Sequence, residues 1–271
     1  MTETARPQVP AVREEILAYY SRGEEDGRLR RGSNRLELWR TQDVLRRLLP
    51  TAPAKVLDVG GGSGIHAEWL ARDGYEVDLV DPVPLHLEQA ARVPGITVRA
   101  GDARALAAED ASYDVVLLLG PLYHLPERAD RLRALSEAHR VVRPGGLVVA
   151  ATINRFAGLH DMLLQEWYFD PVRRANTDAI SNHGRNGGDG PFTTAYFAQP
   201  HEAPEEFMES GLTVEGQYGL EGVAWLMGGV ERWLDDPDRR EAVLAAMRRT
   251  ESEPTLLGTS GHLLTAGRKR S

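Results

Sequence analysis

An α/β fold, an open and mostly parallel sheet with helices on both faces, is predicted by three observations. Strand-like and helix-like patterns alternate from 54 to 152. The segment 115–119 is apolar at every position and 77–80 at all but Asp78, as central strands buried on both faces require. The first strand, around Val56, Leu57 and Val59, passes through Asp58 into Gly60 and Gly62, then into an amphipathic helix that starts near Gly64.

The elements follow in order. Residues 1–10 are polar and proline-bearing; they read as disordered and lack the apolar core of a signal peptide. From 12 to 49 the periodicity is helical. Ile16, Leu17, Tyr19 and Tyr20 form one apolar face, and Leu36, Leu38, Trp39, Val44, Leu45, Leu48 and Leu49 another, with a polar link over 23–32. Residues 1–50 are therefore expected to be an N-terminal helical cap. Strands are expected near 55–59, 75–80, 96–99, 113–119 and 147–152, and helices near 64–72, 84–93 and 127–142. The run Arg143, Pro144, Gly145, Gly146 is expected to end the last of these helices. Beyond strand five, 159–169 has a helical pattern and 181–190 is polar and glycine-rich, so that about 153–200 reads as a helical and loop insertion. Strand-like 212–218 and 262–266, with helical 223–234 and 239–247 between them, complete the sheet.

At 271 residues the chain has ample material for one large catalytic unit. A formal charge of −8 disfavours a nucleic-acid partner, although Arg28, Arg30, Arg31 and Arg35 form a local basic group. With no cysteine, disulfides, thiolate metal sites and cysteine nucleophiles are excluded. No apolar run reaches 18 residues, so no membrane association is expected, and a cytoplasmic location is. No His, Asp and Glu spacing suggests a metal. The oligomeric state is left open.

Chemistry concentrates at one edge of the sheet. Gly60 and Gly62 allow a ligand to lie against the backbone, and the helix that follows offers free N–H groups. Asp81 ends strand two and Asp102 follows strand three, so the glycine turn and both acids line the crevice at the carboxyl ends of the strands. Dinucleotide-binding folds place G-x-G-x-x-G at the same corner, but here Ile65 stands where the last glycine or alanine belongs. Asp81 as a helix cap and Asp102 as a turn residue are the competing structural roles.

Taken together, VLDVGGGSG, LVDP, GDARAL, YDVVLLLGPLYHL and RVVRPGGLVVA resemble, in order, the motifs of the class I S-adenosylmethionine-dependent methyltransferases, over about 55–151. The resemblance implies a Rossmann-like, doubly wound sheet of seven strands, with 51–271 as the methyltransferase domain. It implies that Gly60 and Gly62 flank the methionine part of the cofactor and Asp58 its amino group. Asp81, with Pro82 beside it, would accept from the ribose hydroxyls. Asp102 and Ala103 would read the adenine, and Leu119 and Gly120 would border the sulfonium. Tyr20 would lie over the cofactor, and Arg28 and Arg35 would pair with its carboxylate. GPLYHL differs from the Asn/Asp-Pro-Pro-Tyr pattern of amino-methylating nucleic-acid and glutamine enzymes. The local match, including FTTAYF at 192–197, is to the small-molecule, ubiquinone-biosynthesis-like branch.

The expected reaction is methyl transfer to an oxygen or nitrogen of a small organic acceptor, a natural product or a peptide, in secondary metabolism. His124, just past strand four, is the candidate general base, with a backbone-bonded buried histidine as the other reading. Tyr123, Arg155, Tyr196 and Trp225 are candidates for the acceptor pocket, against an ordinary core role. A non-catalytic S-adenosylmethionine-binding sensor and a nicotinamide-dependent oxidoreductase are the alternative functions.

Overall fold

The structure is a computed structural model that describes residues 11–23, 27–188, 190 and 192–271. The expected disorder of 1–10 and the middle of the 23–32 link lie outside these. Helices α1 (Glu14–Tyr20) and α2 (Arg35–Leu48) precede the alternating unit β1 (Lys55–Val59), α3 (Ile65–Arg72), β2 (Glu76–Asp81), α4 (Pro84–Ala90), β3 (Ile96–Ala100), β4 (Tyr113–Leu118), α5 (Arg128–Val141) and β5 (Val142–Asn154). Beyond it come α6 (Ala157–Leu164), α7 (Pro171–His183), the short strands β6 (Arg185–Asn186) and β7 (Ala195–Ala198), α8 (Glu202–Glu209), β8 (Leu212–Gly219), α9 (Val230–Asp235), α10 (Pro237–Arg248), α11 (Pro254–Leu257) and β9 (His262–Lys269).

Strands β3, β2, β1, β4 and β5 lie side by side and parallel; β9 pairs antiparallel with β5, and β8 antiparallel with β9. This main row has the expected seven strands. The sheet has nine in all, because β7 adds in parallel to the end of β5 at Ile153 and Asn154 and carries β6 as a hairpin partner. Successive residues of the central strands serve opposite layers, as the two-residue period of a strand dictates. Val56, Val115, Leu117, Leu147 and Val149 pack with Val44, Leu45, Trp69 and Leu70 of α2 and α3. Leu57, Val116, Leu118, Val148 and Ala150 pack with Leu135, Ala138 and Val141 of α5 and with Phe207 of α8. Asp78 does not break the pattern, because the Tyr113 hydroxyl donates to it at 2.6 Å.

Four boundaries differ from expectation. The helix expected over 223–234 begins only at Val230, after a 3-10 turn over Ala224–Leu226. Helix α5 ends at Val141, before the proline, and 143–146 lies within β5 at a register irregularity opposite β4. Gly146 is needed there because a Cβ would stand 2.8 Å from the Asp114 carbonyl oxygen. The helix over 159–169 stops at Leu164; Glu166, at φ 59, breaks it before a 3-10 turn over Trp167–Phe169. The expected loop over 181–190 is partly ordered: α7, capped by the Asp170 carboxylate and closed by Gly184, runs to His183, and β6 follows.

Candidate functional site

One cavity opens at the carboxyl ends of β1, β2 and β4, roofed by α1 and the segment before α2. Its floor is the turn after β1. Gly60, at φ 68, has no room for a side chain, since a Cβ would lie 2.8 Å from Pro121 Cγ; Gly62 sits at φ 58. Both are conformations an L side chain rarely adopts. Gly120 backs the turn from the next strand, where a Cβ would come 3.1 Å from the Gly60 carbonyl oxygen.

Asp58 faces this cavity with 1% exposure, and neither of its carboxylate oxygens has a hydrogen-bond partner among the described residues. Burial, with the nearby charge of Asp81, pushes its pKa up to about 7. Asp81 is in the opposite condition. Its Oδ1 accepts from the Val83 N–H at 2.8 Å and from His86 Nδ1 at 3.1 Å, and its Oδ2 accepts from the Gly62 N–H at 2.9 Å. It therefore closes a turn before α4, whose N-cap is Val83 and has no side-chain cap, and also ties α4 to the glycine turn. The contact to His86 puts that ring's proton on Nδ1. Asp102 is likewise engaged: it accepts the Arg104 backbone N–H at 2.8 Å and two guanidinium contacts at 3.0 and 2.7 Å, while Arg104 also donates to Asp130 at 3.1 Å.

His124 donates from Nδ1 to the Thr194 carbonyl at 3.0 Å, so its neutral ring presents the lone pair of Nε2, which accepts the Tyr20 hydroxyl at 2.6 Å. Burial lowers its pKa to about 4, although the Thr194 bond and the Asp81 charge favour the proton. Tyr20 also meets the His86 and His124 rings edge-on, with centroids 5.2 and 5.3 Å away. Helix α1 is fastened there by Thr194 Oγ1 donating to the Glu15 carboxylate at 3.0 Å and by Tyr19 against Phe192.

Tyr20, Arg28, Asp58, Gly60, Gly62, Asp81, Pro82, Asp102, Ala103, Leu119, Gly120, Tyr123 and His124 all line this one cavity. Four residues singled out in the sequence do not. Arg35 is drawn away to the Asp235 carboxylate and the Glu231 carbonyl, at 2.8 and 3.0 Å. Arg155, 5% exposed, donates to the Phe197 carbonyl at 2.7 Å and to Tyr196 and Glu202, a clasp that fastens β7 to the end of β5. Tyr196 lines a separate cleft with Arg131 and Glu202. Trp225 packs with Leu36 and Val230 and donates to the Thr259 carbonyl at 2.9 Å.

Conversely, His66, His86, Arg104 and Asp130 line the cavity without having been singled out. Arg104 was within reach of the sequence, as the cation two residues after Asp102; the histidines carry no local signal. Although no metal spacing shows in the sequence, Glu37, Glu221 and His262 bring ligand-type atoms within 4.8 Å of one another. His262 Nδ1 lies 2.6 Å from Glu221, and Glu37, which also lines the cavity, accepts from Arg28 at 3.2 Å. Among the described residues no helix is long and apolar enough to cross a membrane.

Residues 57–150 match the family model described as a methyltransferase domain. Among curated proteins, the chain is similar to a ubiquinone biosynthesis O-methyltransferase of Methylocella silvestris, 39% identical over 39% of this chain and 42% of the relative. It is also similar to one of Cereibacter sphaeroides, 32% identical over 50% of this chain and 65% of the relative. The matches thus span about half of the relatives' length. Among solved structures, an S-adenosylmethionine-dependent methyltransferase of Thermotoga maritima, described as a possible histamine N-methyltransferase, superposes with a TM-score of 0.61 at 18% identity, over 94% of this chain and 100% of that one. That likeness is one of fold.

Proposed function

Because residues 57–150 form a methyltransferase domain of the class I, S-adenosylmethionine-dependent kind, we propose that the protein transfers the cofactor's methyl group to an oxygen atom of a small organic acceptor. The observation that carries this reading is Asp58. A buried carboxylate with two unsatisfied oxygens is costly unless a cation or donor meets it, and S-adenosylmethionine brings an ammonium and a sulfonium. The side-chain-free turn at Gly60 and Gly62 fits the same ligand, since it leaves backbone open to it.

When bound, S-adenosylmethionine supplies a methyl group already activated by positive sulfur. The chain's own residues then hold the ligand and handle one proton. Asp58 meets the ammonium group. Asp81 Oδ2 has one protein donor and keeps a lone pair for a ribose hydroxyl. Arg104 holds the Asp102 carboxylate at the adenine end. At the acceptor end, His124 Nε2 takes the hydroxyl proton once the Tyr20 hydroxyl has yielded its place. With a pKa of about 4 it is a weak base that is unprotonated at neutral pH, so alignment of the acceptor supplies most of the rate. The oxygen acceptor is supported by the curated relatives, O-methyltransferases by description.

The test is to incubate the protein with methyl-deuterated S-adenosylmethionine and a small-molecule extract of its source cells, and to search for labelled products by mass spectrometry. Label on an oxygen is the expected result. Label on nitrogen alone would overturn the oxygen assignment. Tight cofactor binding with no label in any product would favour a sensor.

A further inference from the structure

We propose that Arg131 and Glu206, which lie outside the cavity lining, are positioning residues that hold His124 in the orientation and tautomer its role as base requires; this rests on the methyl-transfer reading. Arg131 is the fourth residue of α5 and Glu206 belongs to α8; they are 5% and 4% exposed. Arg131 Nε donates to both carboxylate oxygens of Glu206 at 3.0 Å, and Nη2 donates to Oε1 at 2.7 Å. Such a pair is expensive to bury and is a weak source of stability, so what else the guanidinium does is informative.

Its remaining donor has a specific use. Nη1 donates to the carbonyls of Leu125 and Pro126, at 3.0 and 3.1 Å, the two residues that follow His124. The face of the same guanidinium lies over the Tyr196 ring, 4.1 Å from its centroid, a cation–π contact. Tyr196 stands two residues from Thr194 on the same extended segment, and the Thr194 carbonyl receives the His124 Nδ1 proton. One planar cation thus braces both structures that fix the imidazole: the backbone carrying it and β7, directly preceded by Thr194, whose carbonyl selects its tautomer. Lysine could not do this, because an ammonium has no planar fork to share among a carboxylate, two carbonyls and a ring face. Arg155 also holds this ring, donating to the Tyr196 hydroxyl at 3.2 Å.

The test uses the full chain with 15N-labelled histidine. In the wild type His124 should give the signature of a single Nδ1–H tautomer. In Arg131→Met/Glu206→Met, which removes both charges and so leaves none buried alone, that signature should be lost. Turnover should fall on the order of 100-fold through kcat, the size of effect expected from a misplaced catalytic group, with cofactor affinity within about twofold. Should that variant not fold, Tyr196→Leu removes the stacking face without unpairing a charge and should shift His124 in the same direction. A single intact tautomer with unchanged kcat in a folded variant would overturn the proposal. Loss of the tautomer in a protein whose wild type transfers no methyl group would leave the brace standing and remove the methyl-transfer reading instead.

Discussion

Along the carboxyl edge of β1, β2 and β4, Asp58, Gly60, Gly62, Asp81, Leu119 and Gly120 all meet one cavity, whereas beyond β5 Arg155, Tyr196 and Trp225 all lie outside it, bonded to other parts of the chain. The two regions differ in what determines a side chain's surroundings. At the sheet edge, position follows from backbone alone: parallel strands in register end together, and a glycine turn or an acid at that end has nowhere else to be. Beyond β5 it depends on which distant partner a long side chain reaches. Arg155 reaches a carbonyl 42 positions away and Trp225 one 34 positions away.

The sharpest way to break the comparison is at its best-defined point. Asp58→Asn removes a buried cavity carboxylate that has no hydrogen-bond partner among the described residues, and the cofactor should then bind at least about 100-fold more weakly, the loss expected when one member of a buried charge pair is removed. The same change should raise the stability of the free protein at pH 8. The pKa of Asp58 is raised on folding, so its unfavourable contribution is absent below the ordinary carboxylate range, grows as pH rises through about 7, and is complete above it. Calorimetric titration and thermal melts at pH 8 read both effects; weaker binding without added stability would leave Asp58 a ligand contact but not a strained one.

On the other side of β5 the signs should reverse. Arg155→Ala should cost about 3 kcal/mol in urea unfolding, because it strips a buried cation from the Phe197 carbonyl, Tyr196 and Glu202. Acceptor KM should stay within about twofold in this variant. A large KM change at unaltered stability would restore Arg155 to the acceptor pocket. Next in size is the β9 ion pair. Burial opposes the charged form of His262, but Glu37 and Glu221 outweigh it and raise its pKa to about 9. Its stabilisation is therefore full below pH about 6.5 and is lost as pH climbs through 9, on the order of 1–3 kcal/mol. Denaturant melts at pH 7 and pH 10 should show that loss in the wild type and much less of it in His262→Gln. Smallest is Trp225→Phe, expected to lose about 1 kcal/mol of stability with its bond to Thr259, and to leave turnover alone.

These contrasts also mark what the sequence could tell. Five strands of a parallel sheet, the turn at Gly60 and Gly62, and the acids Asp58 and Asp81 were legible because glycine, acid and apolar periodicity are local signals. Residues 143–146 misled because proline and glycine read as a helix stop, whereas here they make an irregularity inside β5. The hairpin of β6 and β7 escaped notice because two-residue pairing carries almost no periodicity. His124 was singled out from its place after β4, as a base or as a buried backbone-bonded histidine, but its bond to Thr194, 70 positions later, carries no local signal. Arg131 carried no signal at all: on α5 it looks like any arginine of a charged helix face.

The most direct test of the account is a calorimetric titration of the wild type and Asp58→Asn with S-adenosylmethionine at pH 6 and pH 8. With a carboxyl that titrates near 7 and must be ionised to meet the ligand, wild-type affinity should rise about tenfold between these values, while the variant binds weakly and alike at both. Equal binding by the two proteins, or no binding by either, would contradict it.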